Sequence, residues 1–180
     1  SDKHDPAIQR PLARIKRAVR DIEMLIDTFL LLARQEQHPD QDETCDLPTI
    51  AAKVVESYCY LLEAKPVDVE LRAAGSGSLQ APPSLVTIAL GNLVRNAFQY
   101  TMKGKVEIIA ARGRVSVQDS GPGISTSMKG AGLGLVIVER LCERMRWRFE
   151  ITSEPGQGTR AELIFTSAET NKADPAPAPA

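Results

Sequence analysis

The 180-residue sequence has few aromatic residues and few cysteines. Aromatic side chains make up 4% of the chain, so a hydrophobic core must come mainly from Leu, Ile, Val and Ala. The three cysteines, Cys45, Cys59 and Cys142, are widely spaced and include no CxxC pair. An odd number of scattered cysteines argues against a disulfide framework and against a zinc site. We therefore expect a protein of a reducing compartment, the cytoplasm.

An excess of charge of one sign is also missing, because 22 basic residues are balanced by 23 acidic ones and the net charge is −1. Proteins that bind nucleic acid usually show a basic excess or a basic face, so no nucleic-acid partner is expected. The longest apolar stretch, residues 24–33, is interrupted by Asp27. It falls short of the roughly 20 residues that a membrane-spanning helix needs. We expect a soluble piece of a longer protein, attached to a membrane only through segments outside this chain.

The first part of the sequence carries a heptad pattern. Apolar residues recur there at alternating steps of four and three, at Ile8, Leu12, Ile15, Val19, Ile22, Ile26, Phe29 and Ala33. This a/d seam extends over nearly four heptads and predicts a helix that packs against other helices with coiled-coil geometry. Two interpretations remain open. The seam pairs with a second copy in a homodimer, which we favour, or the helix folds back onto its own chain.

The remaining sequence divides into a linker, a compact domain and a tail. We predict a helix over 1–37, a linker over 38–44, a compact domain over 45–166 and a disordered tail over 167–180. Periodicity and turn residues predict strands at 45–47, 67–73, 105–111, 114–118, 148–153 and 159–165, and helices at 48–64, at 83–100 and from the glycine-rich stretch to about 146. Hairpins are mixed with helical crossovers, so the expected class is α+β, with a mixed sheet covered on one face by about three helices.

Two asparagines are placed one turn apart on the second helix of the compact domain. Asn92 and Asn96 are four residues apart and therefore share a helix face. An amide oxygen is a hard ligand that suits Mg²⁺, which typically takes one or two protein oxygens together with substrate phosphates. The alternative is that both amides form hydrogen bonds to the backbone.

A carboxylate at the end of a predicted strand is followed at once by Gly-Pro-Gly. Asp119 could accept a hydrogen bond from an exocyclic amine such as that of adenine, while Gly121 and Gly123 would let the backbone approach a flat ring. Taken alone, this stretch is also compatible with an ordinary turn.

A third stretch, Gly130 to Leu135, has glycines at every second position and opens a helix. Backbone amides and the positive end of a helix can hold phosphates. The spacing is GxGxG rather than GxGxxG, and no apolar strand comes directly before it. A Rossmann dinucleotide site is therefore not expected.

In this order, the three stretches resemble the N, G1 and G2 boxes of the ATP-binding catalytic domain of sensor histidine kinases, in the superfamily that includes gyrase, Hsp90 and MutL. The resemblance covers roughly residues 45–166, including the turn before Thr159. It implies a Bergerat-type α/β sandwich, with ATP and Mg²⁺ as cofactors. The N-terminal helix resembles the second helix of the family's dimerisation and phosphotransfer hairpin, which implies a homodimer and a response regulator receiver domain as partners.

The resemblance also implies roles for individual residues. Asn96 would coordinate Mg²⁺ with support from Asn92, Asp119 would bind the adenine amine, Tyr100 would contact the base and Thr159 would lie beneath it. Gln99 stands where many relatives carry Lys or Arg, so one phosphate contact is missing. The complete expected ATP site consists of Asn92, Asn96, Gln99, Tyr100, Asp119, Gly121, Gly123, Ile124, Lys129, Gly130, Gly132, Leu133, Gly134 and Thr159.

Two features depart from the family pattern. His4-Asp5 resembles the start of a phosphoacceptor box, but residues 6–9 do not continue it, and only one helix fits between His4 and Arg34. We therefore expect no catalytic phosphoacceptor histidine in this chain. Only five residues separate Ile124 from Gly130, where the family has a long lid, so Lys129 is the one cation of this stub. Whether the short lid is natural or engineered is left open.

The predicted function is therefore the ATP-binding catalytic portion of a two-component sensor histidine kinase. It would transfer the γ-phosphoryl group to a histidine on an upstream helix absent from this chain, for relay to a response regulator. The isolated chain is expected to bind the triphosphate weakly and not to phosphorylate itself. The alternative is a nucleotide-sensing or degenerate module of the same fold that acts through protein contacts without phosphotransfer.

Overall fold

The protein is described from a computed structural model. The structure describes residues 43–74, 78–124 and 133–165, together with three separate residues, Val19, Ile22 and Ile26. Within these ranges no helix is long and apolar enough to cross a bilayer.

The described elements are three α-helices, a short 3-10 helix and seven strands. In chain order they are β1 (Thr44–Asp46), α1 (Leu47–Tyr58), the 3-10 helix Cys59–Leu62, β2 (Val67–Ala74), β3 (Ser78–Gln80), α2 (Pro83–Tyr100), β4 (Gly104–Ala111), β5 (Arg114–Asp119), α3 (Leu133–Met145), β6 (Arg148–Glu154) and β7 (Gly158–Ile164).

The main sheet has five strands in the order β2-β4-β5-β7-β6. Strands β2 and β4 are parallel and the other neighbours are antiparallel. The helical crossover between β2 and β4 contains α2, as a parallel connection requires. Strands β1 and β3 form a separate antiparallel pair. The predicted mixed sheet with about three helices is confirmed.

The core lies between the helices and one face of the sheet. Along β4 the buried positions alternate at Val106, Ile108 and Ala110, which is the period of a strand with one covered face. Of the three described α-helices, α2 contributes the most buried positions, among them the fully buried Phe98. The opposite face of the sheet carries charged pairs such as Lys105 with Glu107, which are partly exposed and contribute little stability.

Helix α1 is shorter than the sequence predicts. Its start is fixed by Asp46, whose carboxylate accepts hydrogen bonds from the Thr49 backbone N–H at 3.1 Å and the Thr49 hydroxyl at 2.6 Å. The α-helix ends at Tyr58, and the 3-10 helix follows in place of the rest of the predicted 48–64 helix. Ala64 then adopts a left-handed backbone with φ 64°, which turns the chain into β2.

The N-terminal seam is described at three of its positions. Val19, Ile22 and Ile26 are helical and 48%, 53% and 53% exposed, respectively. Large apolar side chains at consecutive seam positions are therefore about half accessible. The length and the partner of this helix stay predictions, and the predicted tail lies outside the described residues.

Candidate nucleotide-binding site

A cleft that is partly open to solvent lies between the C-terminal half of α2 and the ends of β5 and β7. Its walls are formed by Leu93, Asn96, Ala97, Tyr100, Val117, Asp119, Pro122, Gly123, Ile124, Leu135, Ile151, Thr159 and Ala161.

Helix α2 presents one face to the cleft. Leu93, Asn96, Ala97 and Tyr100 follow one another at steps of three, one and three, so they share a face of the helix. Leu93 and Ala97 are buried and supply an apolar wall. Asn96 and Tyr100 are partly exposed, and Asn96 adds an amide to that wall. The cleft therefore has apolar side chains and a polar amide along the same helix.

Asn92 lies one turn before Asn96 but does not line the cleft. Its side chain is 1% exposed, and its Nδ2 donates to the Ile88 carbonyl at 2.9 Å. Its Oδ1 is buried and has no hydrogen-bond partner among the described residues. A buried amide oxygen without a partner is costly, so an unfilled acceptor position exists beside the cleft.

Asp119 ends β5 and points its carboxylate toward the cleft. The carboxylate accepts hydrogen bonds from the Gly121 N–H at 2.8 Å and from the backbone N–H of Thr159. Burial raises the pKa of Asp119, and the two backbone hydrogen bonds offset part of that rise. The ionised carboxylate can still accept a further hydrogen bond from a donor inside the cleft.

The loop after Asp119 packs tightly against the β6–β7 hairpin. Gly123 has φ 69°, and a Cβ at this position would collide with the Glu154 carbonyl. Gly156 N–H donates to the Pro122 carbonyl at 2.8 Å. A glycine is therefore required at 123 both for its backbone conformation and for this close approach.

Ser153 joins this loop to the floor of the cleft, and sequence reasoning missed it. Ile124 N–H donates to Ser153 Oγ at 2.8 Å, and Ser153 Oγ lies 2.9 Å from Thr159 Oγ1. Ser153 and Thr159 are directly opposite each other in the β6–β7 ladder. The hairpin register would have identified this pair, since the turn at residues 155–157 fixes which residues face each other.

The start of α3 fits closely against α2. Gly134 is buried, and a Cβ there would lie 2.8 Å from Asn92 Oδ1 and 3.2 Å from Arg95 Nη2. Gly134 thus allows the first turn of α3 to approach α2 closely.

The structure brings six of the predicted residues to the cleft wall, namely Asn96, Tyr100, Asp119, Gly123, Ile124 and Thr159. Asn92, Gln99, Gly121, Leu133 and Gly134 are described but do not line the cleft. Leu135 lines the cleft in place of the predicted Leu133, which is 39% exposed. Lys129, Gly130 and Gly132 lie outside the described residues.

Apolar residues of the cleft were the other group that sequence reasoning missed. They are Leu93, Ala97, Val117, Leu135, Ile151 and Ala161. Val117 and Ala161 are cross-strand partners on β5 and β7, next to the pair Asp119 and Thr159 on the same face. Alternation along the strands could have found them, since residues two apart share a sheet face.

The residues present fit a magnesium ion that is bound mainly by its substrate. The described residues contain no group of three or more His, Cys, Asp or Glu side chains that could hold a metal by themselves. Mg²⁺ needs only one or two protein oxygens when phosphates and water complete its shell. The Asn96 amide in the cleft wall suits that requirement.

Residues 82–169 match the family described as histidine kinase-, DNA gyrase B-, and HSP90-like ATPases. The chain is 26% identical to the phosphate regulon sensor protein PhoR of Pseudomonas aeruginosa, over 94% of this chain and 44% of PhoR. It is 25% identical to the sensor protein QseC of Escherichia coli, over 92% of this chain and 41% of QseC. The chain thus spans less than half the length of these curated relatives.

Solved structures share the fold. The cytoplasmic segment of the histidine kinase QseC superposes with a TM-score of 0.59 at 24% identity, covering 93% of this chain and 98% of that one. Full-length ShkA in complex with AMPPNP gives a TM-score of 0.63 at 24% identity, covering 93% and 41%. The family match over residues 82–169, the sensor histidine kinase relatives and the shared fold together show that the compact domain is similar to the ATP-binding catalytic domains of sensor histidine kinases.

Proposed function

We propose that this chain binds ATP with Mg²⁺ in the cleft beside α2. In the intact protein it would hold the γ-phosphoryl group for transfer to a histidine on an upstream helix absent from this chain. One observation carries the proposal. An acceptor at the end of β5, Asp119, and an amide on α2, Asn96, line the same apolar-walled cleft. A purine nucleotide with a metal-bound phosphate tail needs both groups.

The base end of the cleft suits adenine. Asp119 keeps an acceptor position for an exocyclic amine after its two backbone hydrogen bonds are made. Tyr100, Ile124 and the buried Val117 form apolar surfaces around that carboxylate. A flat ring would be enclosed by side chains while its amine meets the carboxylate. These contacts support an adenine site and explain why the cleft is largely apolar.

The metal end would be formed by α2. Asn96 would provide an amide oxygen to Mg²⁺, whose chemistry is to neutralise phosphate charge and orient the phosphates. The buried Asn92 Oδ1 is a second acceptor one turn earlier, beside Gly134. Gly121 would shape the pocket around the ring. The remaining members of the proposed set, Gln99, Lys129, Gly130, Gly132 and Leu133, would border the phosphate tail or support the loops around it. The five residues 125–129 give little material for a lid, so triphosphate binding would be weak and exposed.

Calorimetric titration with ATP in the presence of Mg²⁺ tests nucleotide binding. Asp119→Ala should weaken ATP binding by one to two orders of magnitude, because a buried amine without its acceptor costs about 1–3 kcal/mol. Asp68→Ala is a matched control, since Asp68 is an exposed carboxylate on β2, which is not part of the cleft. Equal affinities of Asp119→Ala and the parent would contradict the assignment.

The phosphotransfer partners would lie outside this chain. We propose that the N-terminal helix forms a homodimer and that a response regulator receiver domain receives the phosphoryl group. The accessible apolar side chains of Val19, Ile22 and Ile26 support a helical partner. The chain would work as the cytoplasmic portion of a membrane sensor, with no nucleic-acid partner.

The isolated chain would not phosphorylate itself. Its two histidines, His4 and His38, lack the sequence context of a phosphoacceptor. Incubation with γ-labelled ATP and Mg²⁺ should leave no acid-labile phosphate on the isolated chain, whereas a version extended upstream should become labelled. Label on the isolated chain would overturn this part of the proposal.

A second function, nucleotide sensing without phosphotransfer, is favoured by the short stretch 125–129 alone. It predicts saturable ATP binding with no label on the extended protein. The same labelling experiment therefore separates the two functions.

A further inference from the structure

The hydroxyl of Ser153 takes part in three contacts at one edge of the cleft. It accepts a hydrogen bond from the Ile124 N–H at 2.8 Å and donates to the Gly158 carbonyl at 3.0 Å. Its third partner is the Thr159 hydroxyl at 2.9 Å. Ser153 is partly buried, and the three partners surround its oxygen from the loop after β5 and from the start of β7.

The direction of the third hydrogen bond follows from counting protons. A serine hydroxyl has one proton and two lone pairs. The Gly158 carbonyl can only accept, so it takes the Ser153 proton, and the Ile124 amide can only donate. If all three contacts are hydrogen bonds, the Thr159 hydroxyl must donate its own proton to Ser153. The remaining capacity of Thr159 Oγ1 is then that of an acceptor.

This orientation determines whether the floor of the cleft presents hydrogen-bond donors or acceptors to a base. Thr159 lines the cleft, and its cross-strand partner Asp119 lines it as well. The ionised Asp119 carboxylate accepts only, and the Thr159 oxygen, with its proton directed at Ser153, also accepts only. Such a floor attracts a base edge that carries an amino group. It repels an edge that carries a carbonyl oxygen, because two acceptors would face each other.

We propose that Ser153 is a positioning residue that sets the base preference of the cleft. Ser153 accepts a hydrogen bond from the Thr159 hydroxyl, which leaves Thr159 Oγ1 as an acceptor. The floor of the cleft is then selective for a purine with an exocyclic amine over one with a carbonyl at the same position. This inference rests on the proposed nucleotide function and adds a determinant of specificity to it.

The test compares ATP with inosine triphosphate, in which a carbonyl oxygen replaces the amine. Both affinities are measured by calorimetry with Mg²⁺ for the parent and for Ser153→Ala. The parent should prefer ATP. Ser153→Ala should reduce the ratio of the two affinities roughly tenfold, the factor of one hydrogen bond of ordinary strength, because the Thr159 hydroxyl becomes free to donate to the carbonyl.

Two control variants separate positioning from a merely structural role. Ser153→Thr keeps a hydroxyl at this position and should restore the preference for ATP. Ser57→Ala removes a serine hydroxyl that donates to the Lys53 carbonyl at 2.8 Å within α1, and it should leave both affinities unchanged. If Ser153 acts through Thr159, adding Ser153→Ala to Thr159→Val should not change the ratio further.

The outcomes are distinct. Loss of both affinities by the same factor in Ser153→Ala would overturn the inference, because Ser153 would then only hold the loop in place. An unchanged ratio in Ser153→Ala, or a parent that binds both nucleotides equally, would overturn it as well. A parent that binds neither nucleotide would overturn the proposed function and this inference together.

Discussion

Gly134 on α3 packs directly against the Asn92 side chain on α2, and a Cβ added to Gly134 would lie 2.8 Å from Asn92 Oδ1. Both residues are buried. The first turn of α3 can approach α2 only because position 134 has no side chain. The packing of α3 against α2 therefore depends on this contact.

Gly134→Ala should destabilise the domain. The added methyl group must displace a buried amide, and overpacking of this kind typically costs about 1–3 kcal/mol in the free energy of unfolding. Gly91→Ala is the matched control, because its Cβ would meet the Tyr58 side chain at an ordinary 3.4 Å. Alanine is the better helix former, so Gly91→Ala should be neutral or stabilise by up to about 1 kcal/mol. Urea unfolding of both variants checks this, and equal stabilities would contradict the contact.

Because of Asp119, the stability of the fold and the affinity for ATP should depend on pH in opposite directions. Its pKa is raised in the folded protein, so it contributes stability that is fully present below its unfolded pKa and is lost as the pH rises through the folded pKa. Adenine binding instead needs the ionised carboxylate, so ATP affinity should increase over that range.

The measurement compares the parent with Asp119→Asn between about pH 4 and pH 8, a range that begins near the unperturbed pKa of an aspartate. The difference in unfolding free energy, parent minus variant, should decrease as the pH rises, because the amide that replaces the carboxyl group in the variant does not titrate. A constant difference would show that Asp119 titrates equally in both states.

Asn96→Ala should remove the dependence of ATP affinity on Mg²⁺. Asn96 is the only one of the two asparagines that lines the cleft among the described residues, so the metal would lose its protein oxygen. Adenosine, which has no phosphates, should bind the variant and the parent alike. Thr87→Ala on the exposed side of α2 is a suitable control. An Asn96→Ala protein that still gains affinity from Mg²⁺ would rule out Asn96 as the metal ligand.

Replacement of Val19, Ile22 and Ile26 by serine should shift the chain from dimer to monomer. These three side chains are about half exposed and belong to the heptad seam, so a partner helix would bury them. Sedimentation velocity gives the oligomeric state. Substitution of Arg17, which lies off the seam, by serine should have no effect. A triple variant that sediments like the parent would support the alternative in which the seam is not the interface.

Much of the fold could be predicted from local patterns. Alternation in β4 and the apolar spacing of α2 reflect burial on one face, which sequence periodicity records directly. The end of α1 could not be predicted in the same way. Apolar residues continue into the 3-10 helix at Leu61 and Leu62, so the pattern persists while the hydrogen bonding changes. Strand β3 is only three residues long and gave no periodic signal.

The candidate site was predictable where a short motif fixes its own geometry. Asn96 and Asp119 stand in such motifs, and both line the cleft. Leu135 and Ile151 depend on how α3 and β6 pack against the rest, which no local pattern specifies. The role of Ser153 could be predicted only from the register of the β6–β7 hairpin, because the sequence of one strand does not show which residue lies opposite.

Strand β6 lies at the edge of the five-stranded sheet, and β7 is its one neighbour among the described strands. It nevertheless supplies Ile151 to the cleft wall and Ser153 to the loop after β5. Core strands open least readily, so we expect the wall of the cleft formed by β6 to open more readily than the centre of the sheet. A ligand in the cleft should therefore slow the hydrogen exchange of the β6 backbone amides. That slowing would show that the cleft is occupied, at a distance from its phosphate end.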